Sequence, residues 1–290
     1  MILDKNLNIL IVGLGLMGGS YAKGLSSKGY KVKAIDKDPE VISYALEHKM
    51  ITEGADYPSA ELIGEADLVI FALYPHVFIQ WIKDNQQLFK SGAIISDVTG
   101  VKSCVVYEIQ DMLRPDVEFI AAHPMAGREK SGIEYSDETV FYGANYIVVP
   151  TDKNSFDAIE TCKAIGQTLG FARISSLPPK AHDEMIGFVS QLTHCIAVCL
   201  MTCSNSDHLV DYTGDSFRDL TRIARINENM WSELFLLNKD ALLAQMEKFM
   251  AEMEKFHNML KEGDAEGMKE KMRLSSEKRE LFNKPKGENK

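Results

Sequence analysis

The chain is 290 residues long, more than one hydrophobic core usually organises, so two domains are expected. Its formal net charge of -10 argues against a nucleic acid or an anionic membrane as partner, and an anionic substrate would need locally placed cations. No uninterrupted apolar run approaches the roughly 18 residues that span a bilayer, "MILDKNLNIL" lacks the regions of a signal peptide, and five cysteines fit a reducing compartment, so the expected location is cytoplasmic.

In chain order, strands are expected at "LNILIVG" (7–13), "KVKAID" (31–36), "ADLVIFAL" (66–73), "AIISDV" (93–98), "EFIAAH" (118–123), "NYIVVP" (145–150) and "FARISS" (171–176). Several are apolar throughout, as strands covered on both faces are, and the segments between them are long enough for crossover helices. The pattern is that of a doubly wound α/β domain.

The first of these strands runs into "VGLGLMGGS", which matches G-x-G-x-x-G at Gly13, Gly15 and Gly18. The match follows a strand and opens a helix, and Asp36 ends the next strand about 20 residues on. Glycines there let the backbone, with that of Leu16 and Met17, approach a pyrophosphate at the helix N-terminus, where the dipole favours anions. A carboxylate at Asp36 accepts from ribose hydroxyls and repels a 2′-phosphate, so NAD is the expected cofactor, a preference that Lys37 softens without reversing.

Ligands of such sheets lie beyond the carboxyl ends of the strands. "ALYPH", "SDVTGVKS" and "HPMAG" should therefore converge near the nicotinamide, with His123 at the mouth of the cleft. A neutral imidazole there can take a proton from a hydroxyl while hydride leaves the same carbon. Pro124 and Gly127 read as a turn that aims the ring.

After "SLPPK" (176–180) only helical periodicity remains, and Pro178 and Pro179 mark the expected boundary. The expected fold class is thus α/β plus all-α: an NAD-binding Rossmann-type domain over 1–177, then a helical substrate and dimerisation domain over 178–290. Cys195, Cys199 and Cys203 follow one another at helical spacing beside His194. Thiols in line along one helix cannot close around a tetrahedral ion, so they read as small buried residues and no metal is expected. Ser190 and His194 fall on one helical face and could share a partner. In "GDSFRDLTRIARIN", Ser216 reads as an N-cap with Asp219 three residues on, and Arg218, Arg222 and Arg225 share a side; one of them could grip a carboxylate bidentately. Leu242, Met246, Phe249, Met253, Phe256 and Leu260 step by four and three over about three heptads. Such a stripe needs a partner, an antiparallel neighbour in the chain or a second subunit, and a homodimer through the helical domain is expected.

Together "GLGLMGGS", "DVTGVK", "HPMAGREKSG", "SQLTH" and "FRDLTRIA", in this order, resemble the prephenate dehydrogenases, with the related arogenate dehydrogenases, of tyrosine biosynthesis. The resemblance runs from about Asn8 to the helical end, and "HPMAG" with "DLTRIA" is its specific part. It implies NAD-dependent oxidative decarboxylation of prephenate to 4-hydroxyphenylpyruvate, with arogenate as the alternative substrate. By position it implies that His123 is the catalytic histidine, that Arg222 grips a substrate carboxylate, that His194 and Ser190 line the substrate pocket, that Glu129 and Asp219 lie near its entrance, and that Trp231 is an aromatic near the site. Many members read D-V-G-S-V-K where this chain has Gly100 in place of the serine, so Thr99 is the residue that could supply a hydroxyl to cofactor and substrate. A β-hydroxyacid dehydrogenase shares the G-L-G-x-M-G start, but the G-x-x-x-K-x-x-x-N pattern of that family is absent between Pro178 and Asn205. An NAD-sensing regulator would explain the glycine turn and leave His123, His194 and Arg222 without a purpose.

Overall fold

Short apolar runs build the first sheet because both of its faces are covered. In this computed structural model, which describes residues 3–128, 130–206 and 208–282, β1 (Ile9–Val12), β2 (Val32–Ile35), β3 (Glu53–Ala55), β4 (Leu68–Phe71), β5 (Ile94–Asp97) and β6 (Glu118–Phe119) lie in the order β3-β2-β1-β4-β5-β6. Every pairing among them is parallel. The connecting helices are α1 (Leu16–Ser27), α2 (Pro39–Glu47), α3 (Ala60–Glu65), α4 (Pro75–Asn85) and α5 (Ser103–Met112), and α6 (Phe156–Leu169) follows further on. Alternate residues serve opposite layers. Ile9, Ile11, Leu68 and Ile70 share a core with Tyr21 and Leu25 of α1 and Ile165 of α6, whereas Leu10, Val12, Val69 and Phe71 share one with Phe78 and Ile82 of α4 and Val106 of α5. Both sets must be apolar, so the strands show no alternation in sequence.

Two features depart from the expected strand pattern. The edge strand β3 is Glu-Gly-Ala, a segment with no apolar run. It is a strand because its backbone pairs with Lys33 to Ile35 of β2. The stretch 118–123 is two strands, not one. Ile120 still donates its N–H to the Ile95 carbonyl at 2.9 Å, but the next N–H on that side, from Ala122, goes to the Asp97 carboxylate at 3.1 Å. A side chain replaces the strand partner, and the chain peels away as β7 (Ala121–Met125) into a second sheet with β8 (Asn145–Val149) and β9 (Arg173–Ser176). Within it β7 and β8 are antiparallel and pair His123 with Ile147, and β8 and β9 are parallel. Pro124 therefore lies inside a strand opposite Tyr146, and Gly127 has no positive φ; the expected Pro–Gly turn is not what holds His123.

Beyond β9 all described elements are helical. Pro179 is the first residue of α7 (Pro179–Ile186), suited to a position that needs no N–H. A π-helical turn, Gly187–Leu192, joins α7 to α8 (Thr193–Thr202). Pro179–Thr202 is 24 residues long, and an 18-residue window within it has a mean hydropathy of 1.6 and is 28% buried, enough by length and composition alone to cross a membrane although polar residues interrupt every apolar run. Next come α9 (Leu209–Tyr212), α10 (Asp215–Thr221) and a 3₁₀ turn, Arg222–Ala224. Two expectations fail here. Gly214, not Ser216, caps α10, because the helix starts one residue before that serine. Arg218, Arg222 and Arg225 do not share a helical face, because the helix tightens at Arg222 and ends before Arg225. Cys199 and Cys203 are exposed rather than buried, since α8 turns that face outward.

Finally come α11 (Glu228–Leu237), α12 (Lys239–Glu262) and α13 (Ala265–Glu280). The chain divides into compact units at Met1–Lys239 and Asp240–Lys290, while the change from α/β to all-helical structure falls after Ser176. In the second unit Asp264 caps α13 by accepting from the Gly267 N–H at 2.9 Å, and Lys271 pairs with Glu252 across the two helices. Met253 and Leu260 of the heptad stripe stay 57% and 64% exposed.

Backbone contact decides what the glycine turn tolerates. A β-carbon on Gly18 would collide with the carbonyl oxygen of Gly13, a group that cannot yield, whereas one on Gly15 meets nothing within 4 Å. Gly18→Ala is expected to destabilise the chain by about 2 kcal/mol or more, and Gly15→Ala to stay within about 0.5 kcal/mol of the parent. Urea unfolding of both variants checks this; equal midpoints would refute it.

Candidate active site

The site begins where β1 ends. Gly13 has φ +93°, and a β-carbon on it would lie 2.7 Å from the Ala72 carbonyl oxygen, so the turn rests directly on the end of β4. Asp36, at the end of β2, accepts the Leu14 N–H at 2.7 Å on one carboxylate oxygen and the Asp38 N–H at 3.0 Å on the other. Helix α1 starts at Leu16 with no side-chain cap and no acidic residue in its first turn. Its N–H groups and dipole are thus directed at the space above the turn, which suits a phosphate. Gly13, Gly15, Leu16, Met17, Gly18 and Asp36 are together where a dinucleotide would need them.

His123 stands on β7 beside the turn that follows β5. Its Cε1 is 3.9 Å from where a β-carbon on Gly100 would be, and the Leu234 side chain from α11 covers Gly100 at 3.7 Å. The ring is half-buried. Its Nδ1 lies 2.9 Å from Nε2 of His182, whose Nδ1 in turn lies 2.8 Å from Oδ1 of Asp183. Burial, with His182 and Lys102 nearby, pushes the His123 pKa well below the ordinary histidine value. The ring is therefore neutral at cellular pH, the state a proton acceptor requires.

Beneath the histidine lies a buried ion pair. Lys102 Nζ is 2.6 Å from Asp97 Oδ2, 2.6 Å from the Ala122 carbonyl and 3.1 Å from the Thr99 hydroxyl. Three N–H donors thus meet three acceptors, and neither side chain is exposed. Burial lowers the Lys102 pKa, and the Asp97 charge and hydrogen bond oppose that shift. Asp97 also accepts the Ala122 N–H, next to His123, and the Thr99 N–H at 3.0 Å. This geometry corrects the role expected of Thr99. Its hydroxyl donates to Asp97, accepts from Lys102 and lies 3.0 Å from the Val101 carbonyl. It is turned into this network and is not presented to cofactor or substrate.

The helical elements carry the other expected site residues. His194 Nδ1 donates to the Ser190 carbonyl at 2.9 Å, across the π-helical turn, and its ring lies against Trp231 of α11, tilted by 31° with centroids 3.7 Å apart. What joins positions 190 and 194 is the serine backbone, not its hydroxyl. Helix α8 packs against the Arg222–Ala224 turn, which brings Arg222 beside the helix of His194. Glu233 accepts both the backbone N–H and Nδ1 of His76, at 3.0 and 2.8 Å, and so ties α11 to the start of α4. Asn238, at the end of α11, donates to the Asp183 carbonyl at 2.9 Å and to Gln191 at 2.7 Å. Asp219 is exposed on α10, and Glu129 lies outside the described residues.

Sequence reasoning missed His182, Asp183, Lys102 and Leu234. A His-Asp pair just ahead of the apolar run that begins at Met185 was the available signal for the first two, and a lysine between Val101 and the apolar residues of α5 for the third. Nothing in the spacing marked Leu234.

Residues 21–174 match the family model described as prephenate dehydrogenase, nucleotide-binding domain, and residues 178–274 match prephenate dehydrogenase, dimerization domain. The chain belongs to the prephenate dehydrogenase family. It is an oxidoreductase family of tyrosine biosynthesis, and the fold is the expected Rossmann-like domain followed by helices. The glycine turn precedes the first matched stretch, so its reading stands on its own geometry. The chain is 30% identical over 271 residues to a prephenate dehydrogenase of Lactococcus lactis, covering 90% of this chain and 73% of that protein. It is 27% identical to a cyclohexadienyl dehydrogenase of Zymomonas mobilis, covering 94% of each. Its fold superposes with a TM-score of 0.86 on a crystal structure of prephenate dehydrogenase from Aquifex aeolicus in complex with hydroxyphenyl propionate and NAD+, at 29% identity over 95% of this chain and 98% of that one.

Removing the Lys102 amine would leave Asp97 buried with two backbone N–H groups and no counter-charge. Lys102→Met is expected to cost about 3–5 kcal/mol of stability, read by denaturant unfolding; a loss under about 1 kcal/mol would show that the pair does not hold the site together.

Proposed function

We propose that the chain oxidises and decarboxylates prephenate with NAD, releasing 4-hydroxyphenylpyruvate, and that arogenate, with an amino group for the keto group, is the alternative substrate. The observation that carries this reading is His123 on β7, set beside the turn after β5 and backed by His182 and Asp183. The residues around Gly13 to Gly18 and Asp36 fit NAD, and the Aquifex aeolicus relative was crystallised with it.

When bound, NAD supplies the hydride acceptor. His123 accepts the proton of the ring hydroxyl as hydride leaves the carbon that bears it, which builds a carbonyl opposite the ring carboxylate. Loss of carbon dioxide then restores an aromatic ring, and the proton returns from His123 to the phenolic oxygen, so none is gained or lost overall. Arg222 holds a substrate carboxylate through its guanidinium fork. His194, held by the Ser190 carbonyl and Trp231, lines the substrate side. Ser190, Glu129 and Asp219 are assigned to the pocket and its entrance. Orientation by these groups and proton acceptance each supply several kcal/mol of barrier lowering.

The working form is a homodimer built through the helical elements. Support comes from the dimerization-domain match over 178–274, from exposed Met253 and Leu260 on the heptad stripe, and from exposed Met185, Phe188, Val189 and Met201 on the Pro179–Thr202 stretch.

Following reduced cofactor by absorbance with prephenate and with arogenate tests the reaction; turnover of neither refutes it. His123→Asn is expected to lower turnover about a hundredfold or more with cofactor affinity near normal, and unchanged turnover would refute its role. Arg222→Ala is expected chiefly to raise the apparent Michaelis constant; a fall in turnover alone would count against it. Because the His123 pKa is depressed, the base stays unprotonated as pH falls through the ordinary histidine range. The acid limb of kcat/KM should lie below 6.5, and a limb above that value would contradict the burial argument.

A further inference from the structure

We propose that His182 and Asp183 are positioning residues that hold His123 as the Nδ1–H tautomer, so that its Nε2 lone pair is the atom offered to a hydroxyl. The proposal rests on the reading of His123 as proton acceptor and assigns the means by which that state is set.

The assignment follows donor by donor. Asp183 takes the Lys102 N–H at 2.9 Å, the Ser103 N–H at 2.7 Å and the ring of His182 at 2.8 Å. Burial works against its charge, but the hydrogen bonds from His182 and Ser103 prevail and hold its pKa below the ordinary carboxylate value. An ionised carboxylate only accepts, so His182 Nδ1 carries a proton. A neutral imidazole has one N–H, so His182 Nε2 is a lone pair. His123 Nδ1, 2.9 Å away, must then donate, which leaves Nε2 of His123 bare.

The polarity of this chain would reverse only if His182 were doubly protonated. Burial lowers the His182 pKa, as does Lys102, against the pull of Asp183. The other charged group facing the pair, Asp97, is matched by Lys102. When Nε2 of His123 takes a proton, the charge is shared through His182 with Asp183 instead of resting on one ring beside the Lys102 ammonium. The anchoring is rigid, because Asp183 caps α5 from outside that helix, and Asn238 holds its carbonyl.

Histidine-ring nitrogen-15 spectra of the full chain, taken well above the histidine pKa range, test the tautomer directly; His123→Asn identifies the His123 signals. The expected wild-type spectrum has the proton on Nδ1 of His123. In His182→Leu the proton should move predominantly to Nε2, and turnover should fall about tenfold or more at unchanged cofactor affinity. His182→Gln, whose side-chain carbonyl can accept at the same place, should keep Nδ1–H and recover part of the rate. A wild-type proton on Nε2, or an Nδ1–H that survives His182→Leu, would overturn the proposal. If His182→Leu does not fold, the wild-type spectrum decides. The spectra report whether or not prephenate is turned over; the expected tautomer without turnover would tell against the proposed function instead.

Discussion

The ion pair between Asp97 and Lys102 is the constraint on which the site depends. Both groups are fully buried, and burying two charges costs several kcal/mol unless every donor and acceptor is used. Here they are used on three different elements. Asp97 ends β5, receives the Thr99 N–H of the following turn and receives the Ala122 N–H of β7, while the Lys102 amine returns to the Ala122 carbonyl. Both backbone groups of the residue before His123 are thereby fixed by one pair of side chains. The same contact ends the pairing with β5 and sends β7 into the second sheet.

From that anchor the constraint passes outward through Asp183. This residue stands on α7, yet it satisfies the first N–H groups of α5, which no side chain of α5 caps. One carboxylate thus joins a helix end beside the parallel sheet to the first helix after the last strand, and through His182 it reaches the His123 ring. Helix α11 closes the arrangement from another side, with Leu234 over Gly100, Trp231 on His194 and Asn238 on Asp183. The space that a larger residue at position 100 would occupy is bounded by Leu234 at 3.7 Å and the His123 ring at 3.9 Å, and the Thr99 hydroxyl is turned away into the Asp97 network.

Much of this was legible along the chain. Apolar strands, the glycine turn, Asp36 and the switch to helices after Ser176 are local patterns, set by periodicity and by backbone sterics that a few neighbouring residues decide. The position of His123 past the end of the parallel sheet follows from topology as well, although it lies inside β7 and not at the end of one continuous strand. What could not be read were the partners. His182 is 59 positions from His123, and Asp183 is 81 from Lys102, and no spacing rule links residues so far apart. Where a backbone angle was read as the device that aims the ring, at Pro124 and Gly127, the device is a hydrogen bond from another element.

The sequence by itself determined most of the apolar strands, the glycine turn and the change to helices, because hydrophobic period and glycine sterics act over a few residues. Only the tertiary structure decided which groups face one another: that Thr99 turns inward, that a lysine is buried against Asp97, and that a second histidine backs the first. The physical reason is that a buried charge or imidazole takes its protonation state and direction from whichever donors the packing delivers, and those come from distant parts of the chain.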